Sequence, residues 1–184
     1  MTGTPPERES HPPIYTIGHG NAPVADVIAL LRAHEIAILV DVRSIPASRY
    51  VPQFNRVAFT DTLVHAGIGY FYAGNALGGR PTDPQMYRNG VVPQGRANYL
   101  KLVDYAKVAA QPRYQNAVAD LVALARVRRT AIMCSEEDPR QCHRLHLIAR
   151  TLLGTGIPVY HLRHRGPMEI APFELVTVYQ GGNE

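Results

Sequence analysis

The chain has 184 residues, 46% of them hydrophobic, enough for one substantial core and too few to build two comfortably. Two cysteines exclude a disulfide framework as the source of stability and point to a reducing cytoplasm. The aliphatic residues fall in short runs broken by glycine, proline and charge, none near the roughly 18 apolar residues of a membrane-spanning helix, so no membrane partner is expected. A net charge of +4 modestly favours an anionic small molecule or nucleic acid as partner.

Residues 1–13, rich in proline, threonine and charge, read as a flexible leader without the apolar segment of a secretory signal. Residues 14–180 read as a single α/β domain. Ile14 to Ile17 is β-prone and ends in Gly18-His19-Gly20; Asn21 is placed to cap a helix with Val24, Val27, Ile28 and Leu31 on one face. Ile36 to Val40 is apolar without alternation, as in a strand covered on both faces, and runs into Asp41-Val42-Arg43. Asn55 is placed to cap a helix from about Arg56 to Ala66, and a third strand is expected at Gly69 to Ala73.

Gly74 to Gly95 reads as a long loop that could act as a lid. Tyr99, Leu102, Val103 and Ala106 mark one helix, and Tyr114 to Ala125, opened by Pro112, a second. Thr130 to Met133 is the fourth strand. Asp138, Pro139 and Gln141 then form a helix start, and Leu145, Ile148, Ala149 and Leu152 its apolar face. Pro158 to Leu162 is a fifth strand, and the tail around Leu175 to Tyr179 an edge strand. Alternating strands and helices predict a single Rossmann-like three-layer sandwich with a mostly parallel sheet of about five strands.

Ligands of such sheets sit beyond the carboxyl ends of the strands, so the residues there are the site candidates. His19, between two glycines, Asp41, Cys134, Glu136 and His143 are the candidate catalytic groups; Gly18, Arg43, Arg49, Arg144 and Tyr72 are the candidate substrate contacts. Asp41 and Arg43 alternate along a strand, point to one side and can pair. Arg43, Arg49 and Arg144 together could grip a phosphate or carboxylate. Tyr50, Tyr70 and Tyr72 could stack on a base, although core tyrosines are commoner.

Cys134 and Arg140 have the Cys-x5-Arg spacing of phosphate-cradling thiol phosphatases, but Glu136, Glu137 and Asp138 between them repel a phosphate, and no loop glycine allows the cradle. Cys134, Cys142, His143, His146 and His19 could share a neighbourhood that holds a metal. Cys142 also shares the spacing of Leu145 and Ala149, which favours a buried, inert thiol, so the site is read without a metal and no cofactor is specified.

Tyr15 to Gly20, Asp41-Val42-Arg43 with Pro46 and Ser48-Arg49, Leu77-Gly78-Gly79, and Cys134-x-Glu136 with Pro139 and Cys142-His143-Arg144 together resemble the widespread bacterial family called domain of unknown function 488. The resemblance runs from about Ile14 to Arg163. It implies a compact cytoplasmic α/β domain of a prokaryote with these positions as its site, and it brings no reaction. Three readings follow: an enzyme acting on a nucleotide, nucleic acid or other phosphate-bearing substrate; a non-catalytic nucleotide- or partner-binding module; and a Cys/His metal-binding protein.

Overall fold

A computed structural model describes residues 11–95, 97–164 and 166–171. In chain order the elements are β1 (Ile14–Gly18), α1 (Val24–Ala33), β2 (Ile38–Asp41), α2 (Arg56–His65), β3 (Gly69–Tyr72), α3 (Gly74–Leu77), α4 (Tyr99–Leu102), α5 (Tyr105–Ala109), α6 (Pro112–Val127), β4 (Thr130–Cys134), a π-helix (Arg144–Ala149), α7 (Arg150–Gly154), β5 (Val159–Leu162) and β6 (Glu169–Ile170). One six-stranded sheet has the order β3-β2-β4-β1-β5-β6. It is parallel except for the β5–β6 pair, a Rossmann-like sandwich as the strand and helix alternation predicts. The expected edge strand at Leu175 to Tyr179 lies outside the described residues.

The period-2 alternation of side chains sorts each strand between two cores. Ile14, Val40, Ile132 and Cys134 face α6, the π-helix and α7, whereas Ile17, Leu39 and Met133 face α1 and α2. The chain leaving β1 or β2 therefore crosses one face, and the chain leaving β3 or β4 crosses the other. Neighbouring β1 and β4 end side by side, Gly18 paired with Cys134, and send their chains apart. Between them opens the crevice characteristic of a topological switch point.

Several local expectations need correction. Helix α1 starts at Val24, with Pro23 at its cap position and no side-chain cap from Asn21. Asn55 precedes α2 without capping it; its Oδ1 accepts from the Ser48 amide (2.6 Å) instead. The helix expected through Tyr99 to Ala106 is two, because Val103 is extended and bridges Tyr87, and Asp104 caps α5 by accepting from the amides of Ala106 and Lys107. The Gly74 to Gly95 segment contains α3 and a 3-10 turn at Pro84–Met86.

After β4 the helix start at Asp138 is a single 3-10 turn, Pro139–Gln141, whose cap Asp138 accepts from the Arg140 amide. Cys142 is then extended, and the π-helix follows. Helical bonding to the fifth residue is rare and concentrates at functional sites. Among the described residues no helix is long and apolar enough to cross a membrane.

Candidate active site

Gly18 holds the two strand ends together. Any side-chain carbon there would overlap the backbone carbonyl of Glu136, which accepts from Arg144 Nη1. Beyond it the His19 amide donates to the Cys134 carbonyl (3.1 Å) and the Gly20 amide to that of Ser135 (2.8 Å). Gly20 has φ of +51°, a left-handed turn that glycine makes without cost. The turn leads the chain into α1.

His19, continuing the side of Ile17, stacks on Phe54 with ring centres 4.3 Å apart and planes at 15°. Its Nδ1 donates to the Gly20 carbonyl (2.8 Å), and its Nε2 accepts from Arg43 Nη1 (3.3 Å). A guanidinium only donates, so this network fixes a neutral tautomer with the proton on Nδ1. Burial away from water, aided by the Arg43 charge, lowers the His19 pKa from 6.5 to about 4.

Asp41 and Arg43 form the buried pair that their alternation predicts. Arg43 Nη2 lies 2.6 Å and Nε 2.9 Å from the two carboxylate oxygens, and the Arg43 amide donates to the same group (3.0 Å). Tyr70 Oη donates to Asp41 Oδ2 (2.8 Å), and Arg43 Nη2 also donates to the Phe54 carbonyl (2.8 Å). Desolvation and the adjacent carboxylate raise the Tyr70 pKa, so the phenol keeps the proton it donates. Asp41 is thus wholly committed to holding Arg43 and Tyr70 in place.

The crevice is a cleft of ≈ 680 Å³ lined by His19, Arg43, Ser135, Glu136, the Gly20 to Pro23 turn and His164. Two of its rim carboxylates are already neutralised: Glu137 by a two-pronged contact from Arg163 (2.8 Å each), Asp138 by Arg140 (3.0 Å). The Glu136 side chain has no hydrogen bond among the described residues. Desolvation, then the charge at Cys142, holds its carboxyl above the ordinary pKa.

Of the ten residues singled out from the sequence, His19, Arg43 and Glu136 line the cleft. Gly18 and Asp41 sit directly beneath it. The three arginines expected to act together are separated: Arg49 is exposed and stacked on Tyr50, and Arg144 is wholly buried, donating from Nη1 and Nη2 to the carbonyls of Glu136 and Glu137. Arg144 therefore shapes the Glu136 loop from behind. Tyr72 lies beyond the cleft, its hydroxyl donating to the Ser44 carbonyl (3.1 Å), while Tyr50 lines it and the Tyr70 hydroxyl is bound to Asp41.

Cys134 and His143 face the other core. Cys134 continues the side of Ile132, so the sheet separates its thiol from the His19 ring. Cys134 Sγ and Cys142 Sγ lie 3.6 and 3.7 Å from His143 Nδ1, all three side chains buried. Its hydrogen bond to Cys142, then burial, raise the Cys134 pKa well above that of a free thiol; at Cys142 burial acts upward, but the hydrogen bond from Cys134 and the nearby imidazole outweigh it and hold the thiol well below that value. His146 is not part of this group, because its Nε2 pairs with the Arg140 carbonyl (2.7 Å).

Sequence reasoning missed Phe54, which supports His19, and His164 on the cleft wall. No local pattern marks them, since their approach depends on strand order and on the switch between faces. The family model described as Domain of unknown function DUF488 matches residues 23–151. No curated protein and no solved structure matches the chain.

Proposed function

The chain belongs to the family Domain of unknown function DUF488, and since that description carries no reaction, we propose its function from the geometry: an enzyme acting on a phosphate-bearing small molecule of about mononucleotide size, bound in the cleft between β1 and β4. The observation that carries the reading is the coincidence, at a topological switch point, of a ligand-sized cleft with His19, Arg43 and the Glu136 carboxyl, which has no hydrogen bond among the described residues.

Anion recognition falls to Arg43 Nη1 and to the amino end of α1, whose first amides have no acceptor within the helix and whose preceding residues line the cleft. Glu136 moves the proton. Its raised pKa brings it nearer to the operating pH, where a general acid or base is most effective. Asp41 and the neutral His19 are positioning residues that hold the Arg43 fork. Perturbed side chains lining a cleft of this size favour this reading over a non-catalytic nucleotide-binding module, for which ordinary side chains on a shallow surface would be expected.

The test is phosphorus NMR of the full chain incubated separately with AMP, ATP and ribose 5-phosphate, beside calorimetric titration of each. Binding with the appearance of a new phosphorus resonance is expected. Glu136→Gln should slow conversion by about 10²–10⁴-fold while changing affinity little. Binding without conversion in the wild-type protein would favour the binding module, and no binding of any of the three would reject the cleft as a phosphate site.

A further inference from the structure

The buried group on the far side of the sheet stands apart from the cleft, since none of Cys134, Cys142 and His143 lines it. Their donor atoms, two sulfurs and one imidazole nitrogen, all lie within 4.8 Å of one another. The three come from different local structures: the end of β4, an extended residue after a 3-10 turn, and the residue that precedes the π-helix. We propose that Cys134, Cys142 and His143 bind a thiophilic divalent cation of the zinc class, with the imidazole coordinating through Nδ1.

The spacing fits. Tetrahedral bonds of about 2.3 Å to sulfur and about 2.0 Å to nitrogen place neighbouring S and N donors about 3.5 Å apart. Here both sulfurs lie at 3.6 and 3.7 Å from the nitrogen. The two sulfurs lie within 4.8 Å of each other.

Packing, rather than an outward hydrogen bond, orients the imidazole. Gly79 lies against the His143 ring so closely that a side-chain carbon would overlap it, which pins the imidazole plane. His143 Nε2 is buried with no hydrogen-bond partner among the described residues, so the ring is not held there by an outward bond. The π-helix that starts at Arg144 widens the backbone just after the ligand, an irregularity that concentrates at functional sites.

Two thiolates, one neutral imidazole and a divalent cation sum to zero charge, which avoids the cost of a bare ion in the core. Three protein donors leave the fourth position of the tetrahedron to an exogenous ligand. Metal uptake displaces the thiol protons to solvent.

Anaerobic titration of the reduced full chain with Co2+ tests the assignment. One equivalent should develop a thiolate-to-cobalt charge-transfer band with the visible absorption of a tetrahedral site, and Zn2+ should abolish both. Cys134→Ser, Cys142→Ser and His143→Gln should each weaken Co2+ uptake by at least about 10-fold, the effect expected when a ligand or its support is lost. Should these variants not fold, the wild-type protein remains informative: Zn2+ should slow the reaction of both thiols with a disulfide reagent. Absence of the charge-transfer band, retention of Co2+ by a folded Cys134→Ser variant, or thiol reactivity indifferent to Zn2+ would each overturn the proposal.

Discussion

Replacing Asp41 by asparagine is expected to lower the free energy of unfolding by about 3–5 kcal/mol, the cost of leaving a buried guanidinium without its countercharge. Asp41 is 0% and Arg43 4% exposed, so water can compensate little of the lost charge. The carboxylate accepts from the Arg43 amide, Nε and Nη2 and from the Tyr70 hydroxyl, and an asparagine would turn a donor toward this ring of donors. Tyr70→Phe, which removes one of these bonds to a charged acceptor, should cost about 1.5–3 kcal/mol. Adding Arg43→Met to Asp41→Asn should recover part of the loss, because the orphaned charge disappears with it. Urea unfolding of the three variants measures all of this. A loss below about 1 kcal/mol for Asp41→Asn would place the pair in the class of solvated surface bridges.

Acidification should destabilise the protein over a defined range, between about pH 6.5 and pH 4. His19 and His161 are both buried, and in both the pKa falls from 6.5 to about 4, chiefly through loss of hydration and then, for His161, through the charges of Arg144 and Arg163. His161 Nδ1 is engaged with Thr16 Oγ1 at 2.6 Å. In the unfolded chain both rings take a proton near pH 6.5, whereas the folded protein admits it only near pH 4. The unfolded state therefore binds more protons in this window, and stability declines as pH falls through it.

Each ring contributes about 3 kcal/mol that is present above pH 6.5 and gone below pH 4, and the two together lose about 4 kcal/mol by pH 5. Against a total stability of about 5–15 kcal/mol this brings the protein close to unfolding. Half-buried His164, also lowered by desolvation, adds in the same direction. Urea midpoints at pH 7.5, 6 and 5 should fall steadily, and His161→Gln should remove close to half of the dependence. Midpoints unchanged from pH 7.5 to 5 would mean that neither ring is held neutral by the fold.

Much of this arrangement is readable from residue types and periods. The Asp41 and Arg43 pair follows from two-residue alternation, and the parallel sheet follows from five apolar runs separated by helix-length segments. The same alternation also separates Cys134 from His19: Ile132 and Cys134 share one side of β4, Ile17 and His19 the other side of β1, and only strand order turns these into opposite cores. Arg144 shows a different limit. Its sequence context suggests an anion grip, but the π-helix directs its guanidinium to two loop carbonyls, and no local propensity announces a π-helix. Asp104, by contrast, was a legible cap that splits the expected helix, and the apolar spacing of Tyr99 to Ala106 hid it.

The placement of a ligand between β1 and β4 is tested most directly by following backbone amide resonances of the full chain during titration with ribose 5-phosphate. Saturable shifts confined to Gly20, Asn21, Ala22 and Ser135 to Glu137, all of which line the cleft, are expected. Shifts centred on the Arg126 to Arg129 surface cluster, with those cleft amides unmoved, would contradict that placement.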